Sequence, residues 1–296
     1  MKTKRVIYSI FVKIPKEEHF KGSHHKNDSQ IRAEKTISGF DKHYDRLLEN
    51  KRSYAKEIGV PFKMFTYDKQ YQDYQKMFKK DYPEISEYNI VNFYKIHLLY
   101  ELAKEYDEIL YLDFDVVTLT KDNFFEENDL SKGIYVLDNN KSVNKMRVAI
   151  DKINHGIRSP SAKYYNCQAM LIHEGYGPYN DVINTGIVGA SSDNLKKLDY
   201  FGEFKQTLNL MSKLKKDGFD FFPPNITRMF GHDNETIFSY KIQKSVVNIE
   251  WFNDVWHYFY DKDPVFGMYI PDRCKFCHVV NKDFDYAWRK YEKNNL

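Results

Sequence analysis

Cysteine is scarce in this chain of 296 residues. Only Cys167, Cys274 and Cys277 are present, too few to frame a disulfide scaffold at this length. No apolar run approaches the roughly 20 residues that a membrane-spanning helix requires. No charge of one sign dominates. The 45 basic residues stand against 42 acidic ones, and a net charge of +3 leaves no electrostatic footprint for nucleic acid. Internal repeats and low-complexity linkers are absent. The opening "MKTKRVIYSIFVKIPKEEHF" starts basic, but Lys13 and Pro15 break its apolar stretch and no small-residue cleavage site follows. It is expected to be a first strand and not a secretory signal. A reducing, cytosolic location is the expectation, so the glycosylation patterns at Asn225 and Asn234 carry no weight. Oligomeric state is open.

Aromatic residues are abundant, with 24 Tyr and 22 Phe in a composition that is 42% hydrophobic. That is enough for a proper core. Tyrosine joins an apolar body to a polar tip, which suits a wet cleft that stacks on rings as well as ordinary packing.

The order of segments predicts an α/β fold. "RVIYSIFVKI" (5–14) and "PFKMFTYD" (61–68) are short β-branched or aromatic runs, hence strands. Between them, residues 41–59 carry apolar positions at helical spacing and stop at Gly59. Residues 89–106 form an amphipathic helix, and "EILYLDFDVVTL" (108–119) is a third strand. This alternation implies parallel βαβ units, with ligand sites at the carboxyl ends of the strands. Further strands are expected at 133–140 and 181–191, with a helix over 193–217. One domain is expected over 1–296, carrying a C-terminal elaboration.

Within the third strand, Asp113 and Asp115 are two residues apart. On an extended chain they share a face, with Phe114 pointing into the core. Two carboxylates side by side at a strand end repel unless a cation lies between them, and oxygen ligands suit Mg²⁺ or Mn²⁺. A solvated strand end accounts for a lone D-x-D equally well. "ILYLDFDVV" also fits the nucleophile motif of haloacid dehalogenase-type phosphatases, with Asp113 attacking phosphorus. Against that, such motifs open their domain, and no later acidic pair follows here. Another alternative is a module that binds sugar nucleotides without turnover. In a nucleotide-sugar transferase, the acid pair would hold the cation that neutralises the leaving diphosphate.

Four further segments bear on the choice: "NFYKIHLLYEL", "INTGIVGAS", "GHDNETIF" and "CKFCHVVNKDFDYAW". Taken in order with the D-x-D strand, they make the sequence similar to the glycogenin-like and lipopolysaccharide-galactosyltransferase-like enzymes of the GT-A fold. The resemblance implies a Rossmann-like, mostly parallel central sheet flanked by helices. Residues 1–120 would form a nucleotide-binding half and 121–296 an acceptor half. It implies sugar transfer, with retention, from a nucleoside diphosphate sugar, UDP-sugar by expectation, to a glycan or other hydroxyl acceptor. Asp113, Asp115 and His278 would hold Mn²⁺ or Mg²⁺. Lys95 and Lys282 would steady the diphosphate, and Asn184 and Gly186 would line the donor sugar. Asp233 and Asn234 would be the catalytic pair near the anomeric carbon, with Glu235 as the segment's second acid. Trp288 would match the family's closing tryptophan. Asn234 is one methylene shorter than the family's amide, and Lys282 follows His278 too closely for the family spacing.

Topology alone adds Tyr8 and Ser9 after the first strand, and Asp68 after the second, as candidates for the nucleoside pocket. Phe114 is a further donor-pocket candidate. The basic stretch 141–165 and the aromatic 251–260 are candidate acceptor-side or lid elements. Cys274-Lys-Phe-Cys277-His278 also spells a c-type haem attachment pattern, which demands export, and lacks the further ligands that a zinc site wants. The two cysteines are most simply core or near-surface thiols.

Overall fold

The computed structural model describes residues 3–19, 26–140, 159–262 and 267–295. The chain begins as a βαβ unit. Strand β1 (Arg5–Ile10) is almost wholly buried, and a 3₁₀ turn (Lys16–His19) leads to α1 (Lys26–Glu57), which ends at Gly59 in the left-handed conformation. Strand β2 (Phe62–Phe65) pairs with β1 in parallel. Helices α2 (Lys69–Asp81) and α3 (Glu87–Leu102) lead to β3 (Glu108–Leu112), parallel to β1 on its other side.

After β3 the chain crosses to a second sheet through β4 (Val116–Thr118), then returns through the short α4 (Phe124–Glu127) to β5 (Ile134–Asp138). Helix α5 (Ser159–His173) precedes β6 (Ile183–Ser191), and α6 (Ser192–Leu198), α7 (Phe204–Asp217), α8 (Pro224–Thr227) and α9 (Asn234–Lys244) follow. Strand β7 (Ile249–Trp251) closes the main sheet. Strands β8 (Tyr258–Tyr260) and β9 (Phe276–Val279) and the last helix α10 (Phe284–Asn295) complete the chain.

The main sheet runs β2-β1-β3-β6-β5-β7. Strand β6 is antiparallel to both neighbours and every other adjacent pair is parallel, so five of the six strands point one way. This is the α/β, mostly parallel architecture expected from the sequence. The second sheet, β4-β9-β8, lies at the carboxyl end of β3.

Four details differ from expectation. Helix α1 starts fifteen residues earlier than the periodicity suggested, and α2 fills a polar, Tyr-rich stretch to which the sequence reading assigned no element. The single helix over 193–217 is two, separated where Asp199 and Glu203 take positive φ. The run 108–119 is not one strand. Val116 N–H donates to Asp113 O at 3.0 Å, closing a turn over Asp113–Val116 between β3 and β4.

Candidate active site

The turn 113–116 is held on every side by its backbone. Asp113 N–H donates to Gly186 O of β6 (2.7 Å), and Val279 N–H of the β9 end donates to Asp115 O (3.0 Å). The ammonium of Lys51, on α1 and fully buried, donates to Phe114 O (2.9 Å) and Val116 O (2.7 Å). Phe114 is pinned among Phe11, Phe40 and Tyr44. The two acids therefore converge although the chain between them turns and does not run extended. Their carboxylates meet the imidazole of His278 on β9. One ligand atom from each of the three lies within 4.8 Å of the others, the one such group among the described residues.

Two oxygens and an imidazole nitrogen are a suitable donor set for Mn²⁺ or Mg²⁺ completed by an anionic ligand. Cationic side chains surround them. Lys95 Nζ is 3.4 Å from Asp113 Oδ1, and Tyr111 also donates its hydroxyl to Asp113. Lys282 donates to Asp115, and His278 Nε2 lies 3.4 Å from Asp115 Oδ1. Burial pushes the Asp115 carboxyl up, but Lys282 and His278 more than offset this and hold it well below the usual carboxylate range.

Gly186 has a different use from the one its motif suggested. A Cβ built there would lie 2.3 Å from His278 Cε1 and 2.6 Å from Nδ1. The missing side chain makes room for the imidazole.

Two cavities meet at the acids. One, of about 250 Å³, is lined by Ile10, Phe11, Val12, Ile14, Phe40 and Phe114, with Lys95, Asp113, Asp115 and Lys282 at its inner end. The other, of about 380 Å³, shares those four residues. It continues past Lys163, Asn184, Asp233, Asn234, Glu235 and His278. The first is the more apolar of the two and the second the more polar.

On the polar side, Glu235 is buried and saturated with donors. Thr185 N–H (2.8 Å), Thr185 Oγ1 (3.2 Å) and Asn184 Nδ2 (3.1 Å) converge on Oε1, and Lys163 pairs with Oε2. Burial raises its carboxyl pKa, but Lys163 foremost reverses the shift, leaving it below the ordinary value. Asn234 donates to Thr185 Oγ1 at 2.7 Å. Asp233 caps α9 through Thr236 N–H (2.9 Å), and burial raises its pKa.

Four candidates stand apart from this assembly. Tyr8 is fully buried with its hydroxyl on Lys95 O (2.6 Å), and Ser9 is fully buried on Leu112 O (2.5 Å). They brace the sheet under the site; the chain that lines the cleft is 10–14, just beyond them. Asp68 caps α2 through Tyr71 N–H (2.9 Å) and lines neither cavity. Trp288 is buried and donates to His43 Nδ1 (3.1 Å) in the C-terminal core, away from both cavities. All three cysteines are buried thiols.

The residues that sequence reasoning passed over are Lys51, Tyr111, Lys163 and His257. Lys163 belongs to the basic stretch 141–165, of which residues 141–158 lie outside those described. From 251–260, Phe259 lines the polar cavity and His257 touches His278 at 3.1 Å. Only tertiary contact gives these residues their roles, and no local pattern marks them.

No protein-family model and no curated protein matches the chain. Among solved structures it is similar to a glycosyltransferase involved in the glycosylation of the major capsid of PBCV-1. The identity is 12%, over 98% of this chain and 99% of that one, with a TM-score of 0.39. It is similar to the galactosyltransferase LgtC in complex with donor and acceptor sugar analogues, at 11% identity over 98% and 95% of the two chains and a TM-score of 0.43. Mouse xyloside xylosyltransferase 1 is 12% identical over 94% of this chain and 98% of that one, with a TM-score of 0.45.

Proposed function

We propose that this chain is a metal-dependent glycosyltransferase that moves a sugar from a nucleoside diphosphate sugar to a hydroxyl acceptor. The observation that carries the reading is the convergence of Asp113, Asp115 and His278 at the junction of an apolar and a polar cavity. A sugar nucleotide has the same order of chemistry: a flat base and ribose, a diphosphate, then a ring of hydroxyls.

In this reading the apolar cavity takes the nucleoside, uridine by expectation, against Phe11, Val12, Phe40 and Phe114. Asp113, Asp115 and His278 hold Mn²⁺ or Mg²⁺, which when bound supplies Lewis acidity to the leaving diphosphate. Lys95 and Lys282 turn from the carboxylates to diphosphate oxygens, exchanging one charge-assisted hydrogen bond for another. Asn184 and Asp233 bind sugar hydroxyls, with Asn234 behind them. Glu235 has no oxygen free of donors, so its part is to fix Asn184 and Thr185 and not to attack. The acceptor enters over Lys163 and Phe259. Retention is the outcome that the resemblance implies.

Incubation with a panel of UDP-sugars and Mn²⁺ should release UDP slowly, even with water as acceptor. Asp115→Asn should abolish both this release and metal-dependent UDP binding, while the fold persists. Absence of release with every sugar would sink the transferase reading. A phospho-aspartate trapped on Asp113 would replace it with the phosphatase.

A further inference from the structure

His257 has no part in the reading above, yet its surroundings are specific. It is 1% exposed, just ahead of β8. Its ring meets that of His278 edge to edge, with centroids 5.4 Å apart and planes 23° from parallel. Its Nε2 lies 3.1 Å from His278 Nδ1, and its own Nδ1 is buried without a partner among the described residues. The walls around it include the rings of Phe252 and Phe259. An unpaired polar nitrogen in such a place is costly, so stability alone favours an apolar residue here.

The orientation of His278 supplies a reason for the histidine. Its Nε2 faces Asp115 Oδ1 at 3.4 Å and its Nδ1 faces away, toward His257. A ring nitrogen that gives its lone pair to a cation carries no proton, so a neutral imidazole then carries its proton on Nδ1. That proton needs an acceptor, and His257 Nε2 is in position to be one. Gly186 leaves the edge of the ring beside Cε1 and Nδ1 free to settle there. We infer that His257 is a positioning residue for a bound divalent cation: it accepts from His278 Nδ1 and so fixes which nitrogen, and which direction, His278 offers. This rests on Asp113, Asp115 and His278 forming the cation site. Hydrogen-bond partners of metal-bound histidines commonly contribute about 10–100-fold to metal affinity.

The test measures Mn²⁺ affinity by electron paramagnetic resonance, with the melting temperature of each metal-free protein beside it. His257→Gln puts an amide oxygen near the place of Nε2, and His257→Leu removes the acceptor. The expected result is Mn²⁺ binding weakened about 10–100-fold in His257→Leu and restored to within about threefold of the native protein in His257→Gln. In the native protein loaded with Mg²⁺, long-range ¹H–¹⁵N spectra of labelled histidine should show the His278 proton on Nδ1. This measurement decides the matter even if the leucine variant does not fold. Tight Mn²⁺ binding by His257→Leu, equal loss in both variants, or a His278 proton on Nε2 would each overturn the inference. If Asp115→Asn loses Mn²⁺ while His257→Leu keeps it, only the role of His257 falls. If the native protein binds no Mn²⁺, the cation site falls and the inference with it.

Discussion

Gly186→Ala tests the packing at the heart of the site. The added methyl carbon would lie 2.3 Å from His278 Cε1 and 2.6 Å from Nδ1. Ordinary carbon contacts lie near 3.5–4.0 Å, so the imidazole must retreat by about 1 Å or more. Its retreat is obstructed, because His257 Nε2 is 3.1 Å from Nδ1 and the Phe259 ring centroid is 5.0 Å away. Overpacking of this kind costs about 1–3 kcal/mol, several degrees in melting temperature. The same shift disturbs the 3.4 Å approach of His278 Nε2 to Asp115 Oδ1, so Mn²⁺ affinity should fall as well. Differential scanning fluorimetry and a Mn²⁺ titration measure the two effects. A double-mutant cycle makes the reasoning sharp. In a His278→Ala background the methyl meets no ring, and most of the stability loss should vanish. The same loss with and without the imidazole would refute the steric account.

The Lys163–Glu235 pair, whose carboxylate is buried, should show its sign in acid. The folded carboxyl pKa of Glu235 is depressed below 4.5, so its contribution is present above that pH and is lost as pH falls further. Urea denaturation at pH 3 and 6 should show a smaller pH dependence for Glu235→Gln than for the native chain, and parallel curves would count against the pairing. Lys51 should behave in the opposite range. Burial, only partly offset by Asp115 and Asp113, pushes its ammonium down to about 7. The unfolded state therefore binds more protons between pH 7 and 10.5, and native stability gains at most about 5 kcal/mol across that window from this group. The penalty of Lys51→Met should accordingly grow from pH 7 to pH 10, and a constant penalty would argue against a buried lysine of this kind.

Much of the sheet was legible because β1, β2, β3, β5 and β6 are short β-branched or aromatic runs bounded by turn residues. What escaped has particular causes. Helix α2 buries Tyr71, Tyr74 and Phe78 on one face, and tyrosine counts weakly as apolar in a periodicity. The break between α6 and α7 rests on Asp199 and Glu203 in the left-handed region, where glycine is the usual signal and neither residue is glycine. Tyr8, Ser9 and Asp68 lie near strand ends, as the topology required. Topology does not say which residue turns into the cleft, and these three turn into the sheet or cap a helix.

The acid pair carries the physical lesson. Alternation along a strand brought Asp113 and Asp115 to one face in the sequence reading, but the chain there is a turn. Convergence survives because the backbone imposes it. The carbonyls of residues 113, 114, 115 and 116 accept, in order, from Val116 N–H, the Lys51 ammonium, Val279 N–H and the Lys51 ammonium again. With all four bonded, the turn has little freedom to relieve the repulsion between its carboxylates. Lys95 and Lys282 balance that repulsion. A strand end would fray under such strain. A turn fastened to β6, β9 and α1 holds two like charges close together beforehand, as the proposed cation site requires.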